Sequence, residues 1–294
     1  MRRGPRQVIH YAGKANMRTM RSSYDVIVDR PGRVRPDENG VRDEAAAAQY
    51  RPLEAATGYA DSYQGSGPFA RYFRSRIHVI NQALAVAPGG DLLDVGCGPG
   101  MMVRELLDSR PGDFRIAAVD RSPAMVEVCA RNADGAKDFR AIVARVESMP
   151  FEDASFDLIL AMGVLEYAKI SDALAELSRV IRSDGRVLIT MLNPLSPYRF
   201  FEWQVYWRVL RLLGRGRAPS GIHAYSEGAL RTMMDAVGLR VLDVAYFDVT
   251  WLVPPVDRVV RKFARGWQKR PERTVSRGWN RGLGTGYLVV AGKA

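Results

Sequence analysis

The chain has 294 residues, 47% of them hydrophobic, and a formal net charge of +11. That length is enough for one well-packed α/β core with an added cap, and the ordinary apolar content excludes an intrinsically disordered chain. Cys97 and Cys129 are the only cysteines, which excludes a disulfide framework, and no apolar run is long enough to cross a bilayer. Together with a basic N-terminus that lacks a signal-peptide core, this predicts a cytoplasmic protein. The charge is uneven. Residues 195–294 carry 17 basic against 7 acidic side chains, while residues 51–194 carry 16 against 19. A localised basic surface points to an anionic partner: a substrate, a membrane surface or a nucleic acid.

In chain order, residues 1–42 read as a loose arm with a short extended piece at Tyr24–Val28. Residues 43–88 read as a helical cover. Asp43–Gln49 is alanine-rich, and 69–87 places Phe69, Phe73, Ile77, Ile80 and Leu84 at helical spacing. Pro88-Gly89-Gly90 ends that helix. From there strand and helix patterns alternate. Strands are predicted at 91–95, 114–119, 139–144, 156–162 and 185–191, with helices at 100–109, 123–132 and 171–182 and a turn at Ser183-Asp184-Gly185. Such alternation predicts a doubly wound, mostly parallel sheet with helices on both faces. Past 191 the pattern changes to cap insertions at about 194–224 and 251–280. The first holds an aromatic, basic helix at 198–213 with Trp203, Tyr206, Trp207, Leu210 and Leu213 on one face. Gly214–Gly221 reads as a linker, Ser226–Val237 as a helix capped by Ser226, and 239–247 and 285–291 as strands. A second basic amphipathic helix is predicted within Trp251–Trp267.

The densest chemistry lies at Leu92-Leu93-Asp94-Val95-Gly96-Cys97-Gly98-Pro99-Gly100. An apolar strand meets an acidic residue and then three glycines at alternate positions. Glycines there allow a sharp turn and close backbone approach to a ligand. Asp120 closes the next apolar run, where a carboxylate can grip a ribose diol. The Gly96-x-Gly98-x-Gly100 spacing lacks the longer final gap of the dinucleotide fingerprint, which argues against a pyrophosphate ligand.

This loop resembles the cofactor loop of the class I S-adenosylmethionine-dependent methyltransferases. Four downstream segments strengthen the likeness: Val146-Glu147-Ser148-Met149-Pro150-Phe151, Phe156-Asp157-Leu158-Ile159, Val164-Leu165-Glu166-Tyr167, and 177–189. The likeness covers about 90–294 and is strongest over 90–192. The best match is the small-molecule group resembling ubiquinone and menaquinone biosynthesis methyltransferases. The resemblance implies a Rossmann-like, seven-stranded sheet with a helical cover and a cap insertion, and S-adenosyl-L-methionine as cofactor. It assigns to the cofactor Asp94, Gly96, Cys97, Gly98 and Gly100, then Asp120, Arg121 and Met125. It adds Val146 and Glu147 at the adenine, Met162, and Tyr63 and Arg76 from the cover, with Tyr59 beside them. Two positions depart from the family. Arg145 stands where an acidic residue often contacts the adenine amine, and Tyr167 stands where the family often has histidine.

For the acceptor, Glu166, Tyr167 and His223 are the candidate catalytic groups, and Asn193, Trp203, Trp207 and Tyr225 are expected to line the substrate site. The expected acceptor is a small apolar or lipid-like molecule, with peripheral contact to an anionic membrane through the basic helices and no metal. An RNA methyltransferase is the second reading, from the basic C-terminal third. Against it, Met162-Gly163-Val164-Leu165-Glu166-Tyr167 lacks the Asn/Asp-Pro-Pro-aromatic run that holds a flipped base, and no RNA-binding module is recognisable. A non-methylating relative that keeps the cofactor is the third.

Overall fold

The computed structural model describes residues 24–28, 68–133, 135–214, 220–250, 252–253, 256, 274–278 and 280–294. Tyr59, Tyr63, the Asp43–Gln49 segment and nearly all of the second basic helix lie outside the described residues.

The elements in order are β1 (Tyr24–Val28), α1 (Pro68–Leu84), β2 (Gly90–Val95), α2 (Met101–Ser109), β3 (Phe114–Asp120), α3 (Pro123–Asn132), β4 (Phe139–Val143), β5 (Phe156–Met162), a 3₁₀ turn (Leu165–Tyr167) and α4 (Ile170–Val180). There follow β6 (Ile181–Leu192), α5 (Pro197–Phe201), a π-helical turn (Glu202–Tyr206), α6 (Trp207–Leu212), β7 (Ser220–Ala224), α7 (Glu227–Asp235), β8 (Leu239–Val249), a 3₁₀ turn (Arg281–Leu283) and β9 (Gly284–Lys293). Seven strands form one sheet in the order β4-β3-β2-β5-β6-β9-β8. All neighbours are parallel except β9, which runs antiparallel to β6 and β8. The order reverses between β2 and β5, and ligands in such sheets bind beyond the strand C-termini at that switch point. β1 and β7 pair separately, in parallel.

Period-2 alternation divides each strand between two cores. Leu93, Val95, Ile159, Ala161, Ile189 and Met191 face α4 and α7, meeting Leu174, Leu177, Leu230 and Met234. Leu92, Leu158, Leu160 and Leu188 face the other way, toward Val79, Ile80 and Leu84 of α1 and Met102, Val103 and Leu106 of α2. Full burial of such a side chain stabilises by about 1.5–3 kcal/mol. Asp94 and Thr190 continue this second face at the strand ends.

Three expectations change in detail. The turn at Ser183-Asp184-Gly185 is absorbed into β6, which begins at Ile181 with an irregular register against β5. Arg182 bonds to Asp91 and Asp157 at the starts of β2 and β5, and this holds the segment onto the sheet. The helix at 198–213 is interrupted by the π-helical turn. Trp203 is buried, and Leu213, just past the end of α6, is 61% exposed. Ser220 and Gly221, expected at the end of a linker, belong to β7, which packs against the Leu165–Tyr167 turn.

Candidate active site at the strand ends

The loop after β2 is built by backbone geometry. Gly96, Gly98 and Gly100 have φ of +67°, +53° and +78°, a region that L side chains enter at a cost of roughly 1–2 kcal/mol. The N–H groups of Gly96 and Cys97 both donate to the Val119 carbonyl, at 2.8 and 3.0 Å. A Cβ on Gly96 would lie 2.7 Å from Val164, and one on Gly100 2.7 Å from the Cys129 sulfur. These two glycines serve close packing. Gly98 differs, because a Cβ there would meet no atom within 4 Å. Its open side faces space rather than protein. Gly98→Ala is therefore expected to lower the melting temperature by only a few degrees while weakening ligand binding at least tenfold. Thermal denaturation and calorimetry on the same samples test both halves.

Two carboxylates face this loop. Asp120, at the end of β3, accepts from the Gly98 N–H at 3.0 Å and the Ser122 N–H at 2.9 Å. Asp94 is fully buried, and neither of its oxygens has a hydrogen-bond partner among the described residues. Burial, with the nearby Asp120 charge, pushes its pKa up to about 7, and Arg76 pulls in the opposite direction. A doubly unsatisfied buried carboxyl is costly unless a cation completes it.

A second polar cluster adjoins the first, beyond β5, β6 and β9. Glu166 lies on the 3₁₀ turn after β5, 3% exposed. Its Oε2 has no partner among the described residues. Burial raises its pKa to about 7, against the opposing pull of Arg76 and Arg199. Thr190 Oγ1 and Tyr72 Oη are likewise buried without partners among the described residues. The roof is the first half of α1. A Cβ on Gly163 would meet the Arg76 guanidinium at 2.3 Å, so only glycine lets that arginine approach the end of β5. Arg71 is held by Asp248 at the end of β8, with Nη2–Oδ2 at 3.1 Å, and Thr285 also donates to Asp248.

Residues 93–189 match the profile of a methyltransferase domain. The demethylmenaquinone methyltransferase of Thermus thermophilus is 30% identical over 187 residues, covering 59% of this chain and 84% of that protein. The chain belongs to the class I S-adenosylmethionine-dependent methyltransferases. The malonyl-[acyl-carrier protein] O-methyltransferase of Legionella pneumophila is 30% identical over 155 residues, 52% of this chain, and the chain spans about half of that relative's length, 53%. The solved S-adenosylmethionine-dependent methyltransferase of Thermotoga maritima superposes with a TM-score of 0.57 at 15% identity, over 82% of this chain and 98% of that one. That likeness shows the shared fold.

The family's cofactor is S-adenosyl-L-methionine, and the residues present fit it. The orphaned Asp94 carboxyl matches an ammonium group, the open side of Gly98 leaves room for the ligand backbone, and Asp120 keeps lone pairs beyond its backbone bonds. Arg76, buried between Asp94 and Glu166, matches a carboxylate. Met125 and Cys97 are buried behind the loop, Arg121 borders Asp120, and Met162 is half-buried at the end of β5. Val146 is buried in the core. The Glu147 side chain accepts the Lys169 N–H at 3.1 Å and pairs with Arg145, so that carboxylate is engaged at the start of α4.

The acceptor-side residues separate. Asn193 is engaged within the protein at both ends of its amide, donating to Gly284 O and accepting from Leu195 N. It fixes the turn after β6. Tyr167 is half-buried and lies one residue past Glu166 on the same turn. His223 stacks on Tyr225 with ring centroids 6.3 Å apart, and the Tyr225 carbonyl accepts from Tyr287. Trp203 is buried, and Trp207 meets Tyr206 edge-on at 5.3 Å. Sequence reasoning misses Tyr72, Thr190, Arg199 and Asp248. For Tyr72 a signal exists: Arg71, Ser75 and Arg76 interrupt the apolar side of α1 around it.

Proposed function

We propose that this protein transfers the methyl group of S-adenosylmethionine to a small, apolar or lipid-like acceptor. When bound, S-adenosylmethionine supplies an electrophilic methyl carbon on a sulfonium, and the protein contributes placement and electrostatics. Asp94 and Asp120 hold the two ends of the ligand around the glycine loop. Glu166 stands on the acceptor side as a base. The observation that carries a small acceptor is burial: Asp94 and Glu166 are 0% and 3% exposed. Groups buried so deeply suit a small molecule better than a polymer. The name of one relative, a demethylmenaquinone methyltransferase, agrees with a lipid-like acceptor.

A lipid-like acceptor and peripheral membrane contact draw support from the surface of α5 and α6. Leu195, Phe200, Val209, Leu212 and Leu213 are 71%, 62%, 47%, 88% and 61% exposed, with Arg208 beside them. Exposed apolar residues rimmed by arginine suit an anionic bilayer surface. No helix among the described residues is long and apolar enough to cross a membrane.

The test is incubation with methyl-labelled S-adenosylmethionine and, separately, a lipid extract, a polar metabolite extract and total RNA. Label is expected in the organic phase. Label in RNA would overturn the reading, as would cofactor binding with no demethylated product in any mixture. For the membrane contact, pelleting with anionic but not zwitterionic vesicles is expected, and loss of pelleting in Leu212→Glu.

A further inference from the structure

A cleft of about 240 Å³ lies at the edge of the sheet, apart from the methyl-transfer site. Its walls come from α7, from the edge strand β8 and from the segment that leads into β9. Tyr246 of β8 packs in the core on the α4 and α7 side, the face opposite α1. Three arginines line the cleft: Arg231 from α7, Arg277 from the segment before β9, and Arg281 from the 3₁₀ turn. The segment carrying two of them is clamped onto β8. Tyr246 and Ser276 exchange backbone hydrogen bonds at 2.9 and 2.8 Å, Ser276 Oγ donates to Asn280, and the Arg281 N–H donates to the Gly278 carbonyl at 3.1 Å.

Carboxylates in the cleft orient two of the arginines. Arg277 donates to Asp243 through Nε and Nη2, with Nη2–Oδ2 at 2.9 Å. Arg231 Nη2 donates to Glu227 at 3.1 Å, and the Tyr246 hydroxyl donates to the other Glu227 oxygen at 2.7 Å. Burial and the bond to Glu227 hold that phenol above its usual pKa, against the pull of the Arg281 charge. Arg281 is exposed and forms no ion pair among the described residues. A guanidinium has five N–H donors. Nη1 of Arg277, Nε and Nη1 of Arg231, and all of the Arg281 guanidinium stay uncommitted among the described residues. Three arginines against two carboxylates leave one positive charge unbalanced. Exposed ion pairs add little to stability, so folding does not account for the cluster.

We propose that Arg231, Arg277 and Arg281 form a second binding site, separate from the methyl-transfer site, that takes a phosphate monoester. The site needs neither the cofactor nor the methyl acceptor. Donors converging from three places on the fold match the terminal oxygens of a tetrahedral phosphate better than a planar carboxylate, and arginine meets phosphate through paired N–H groups. The volume holds a phosphate on a short stem and excludes a polymer. The turn carrying Arg281 packs against α5, whose Phe200 is exposed, so the phosphate has two natural sources: a soluble metabolite or the headgroup of an anionic lipid.

The test uses the full chain at low salt in two arms. Calorimetry follows glycerol 3-phosphate, and pelleting follows phosphatidylcholine vesicles with and without phosphatidic acid. Arg281→Ala is expected to weaken binding about tenfold and Arg281→Glu to abolish it. Arg208→Ala, on α6 and outside the cleft, should bind glycerol 3-phosphate as the wild type does. Melting temperature and S-adenosylhomocysteine affinity should stay unchanged in all three variants. The arm in which binding depends on Arg281 names the source of the phosphate. The proposal is overturned if neither ligand binds, if Arg281→Ala matches the wild type in both arms, or if succinate binds as tightly as the phosphate ester.

Discussion

Replacing Asp94 with Asn is expected to weaken S-adenosylmethionine binding by roughly 10- to 150-fold. The carboxyl has no partner of its own among the described residues, so its charge is available to a ligand ammonium. A hydrogen bond to a charged group contributes about 1.5–3 kcal/mol, and each 1.4 kcal/mol is tenfold in affinity. The pH dependence has a definite sign. With its pKa raised to about 7 by burial, Asp94 is protonated below neutrality in the free protein and charged above it. Only the charged form pairs with an ammonium. Affinity should therefore rise between pH 6 and 7.5, and binding at pH 6 should release a proton. Calorimetry in two buffers of different ionisation heat measures that release. Asp94→Asn should be flat over the same range. A wild-type profile that falls as pH rises would show that the ammonium is held elsewhere.

Glu166→Gln should leave cofactor affinity within a factor of two and reduce kcat by roughly 10²–10⁴-fold, the usual contribution of a positioned base. Here too the direction follows from burial. The group is raised to about 7, so the base form appears as pH rises through neutrality. With both substrates saturating, kcat should climb about tenfold per pH unit below that point and level off above it, and the Gln variant should lose the climb. The two acids titrate in the same range, and the measurements keep them apart: Asp94 governs binding and Glu166 governs the saturated rate. An unchanged kcat in Glu166→Gln would remove the base from the mechanism and leave Tyr167 and His223 as the groups to examine.

The cofactor half of the site can be read along the chain because it is local. One strand, three glycines and a carboxylate at the end of the next strand occupy residues 92–120. Period-2 alternation and left-handed glycines have signatures that need no tertiary knowledge. The acceptor half is assembled from α1, the turn after β5, β6, α5, β8 and β9. Tyr72 and Gly286 meet across more than two hundred residues, and no spacing rule encodes that contact. Arg76 can be read as part of the cover, whereas the burial of Arg71 depends on Asp248 lying opposite it, 177 residues away. The π-helical turn is hidden for another reason. A widened turn leaves composition and helical spacing untouched, so nothing in the sequence pattern marks it.

The two faces of the sheet carry different obligations. On the side toward α4 and α7, the strand ends at Val95, Ala161 and Met191 are apolar. On the side toward α1, the last positions turn to Asp94 and Thr190, with Glu166, Tyr72 and Arg76 gathered above them. Substitutions on the first side should cost folding, as lost packing always does. On the second, an apolar replacement relieves an unsatisfied buried group, so variants such as Thr190→Val should melt no lower than the parent while working worse. A library selected for heat resistance alone would erode this enzyme from one side of a single sheet. Selection for turnover would hold that side fixed, even though the fold would be more stable without it.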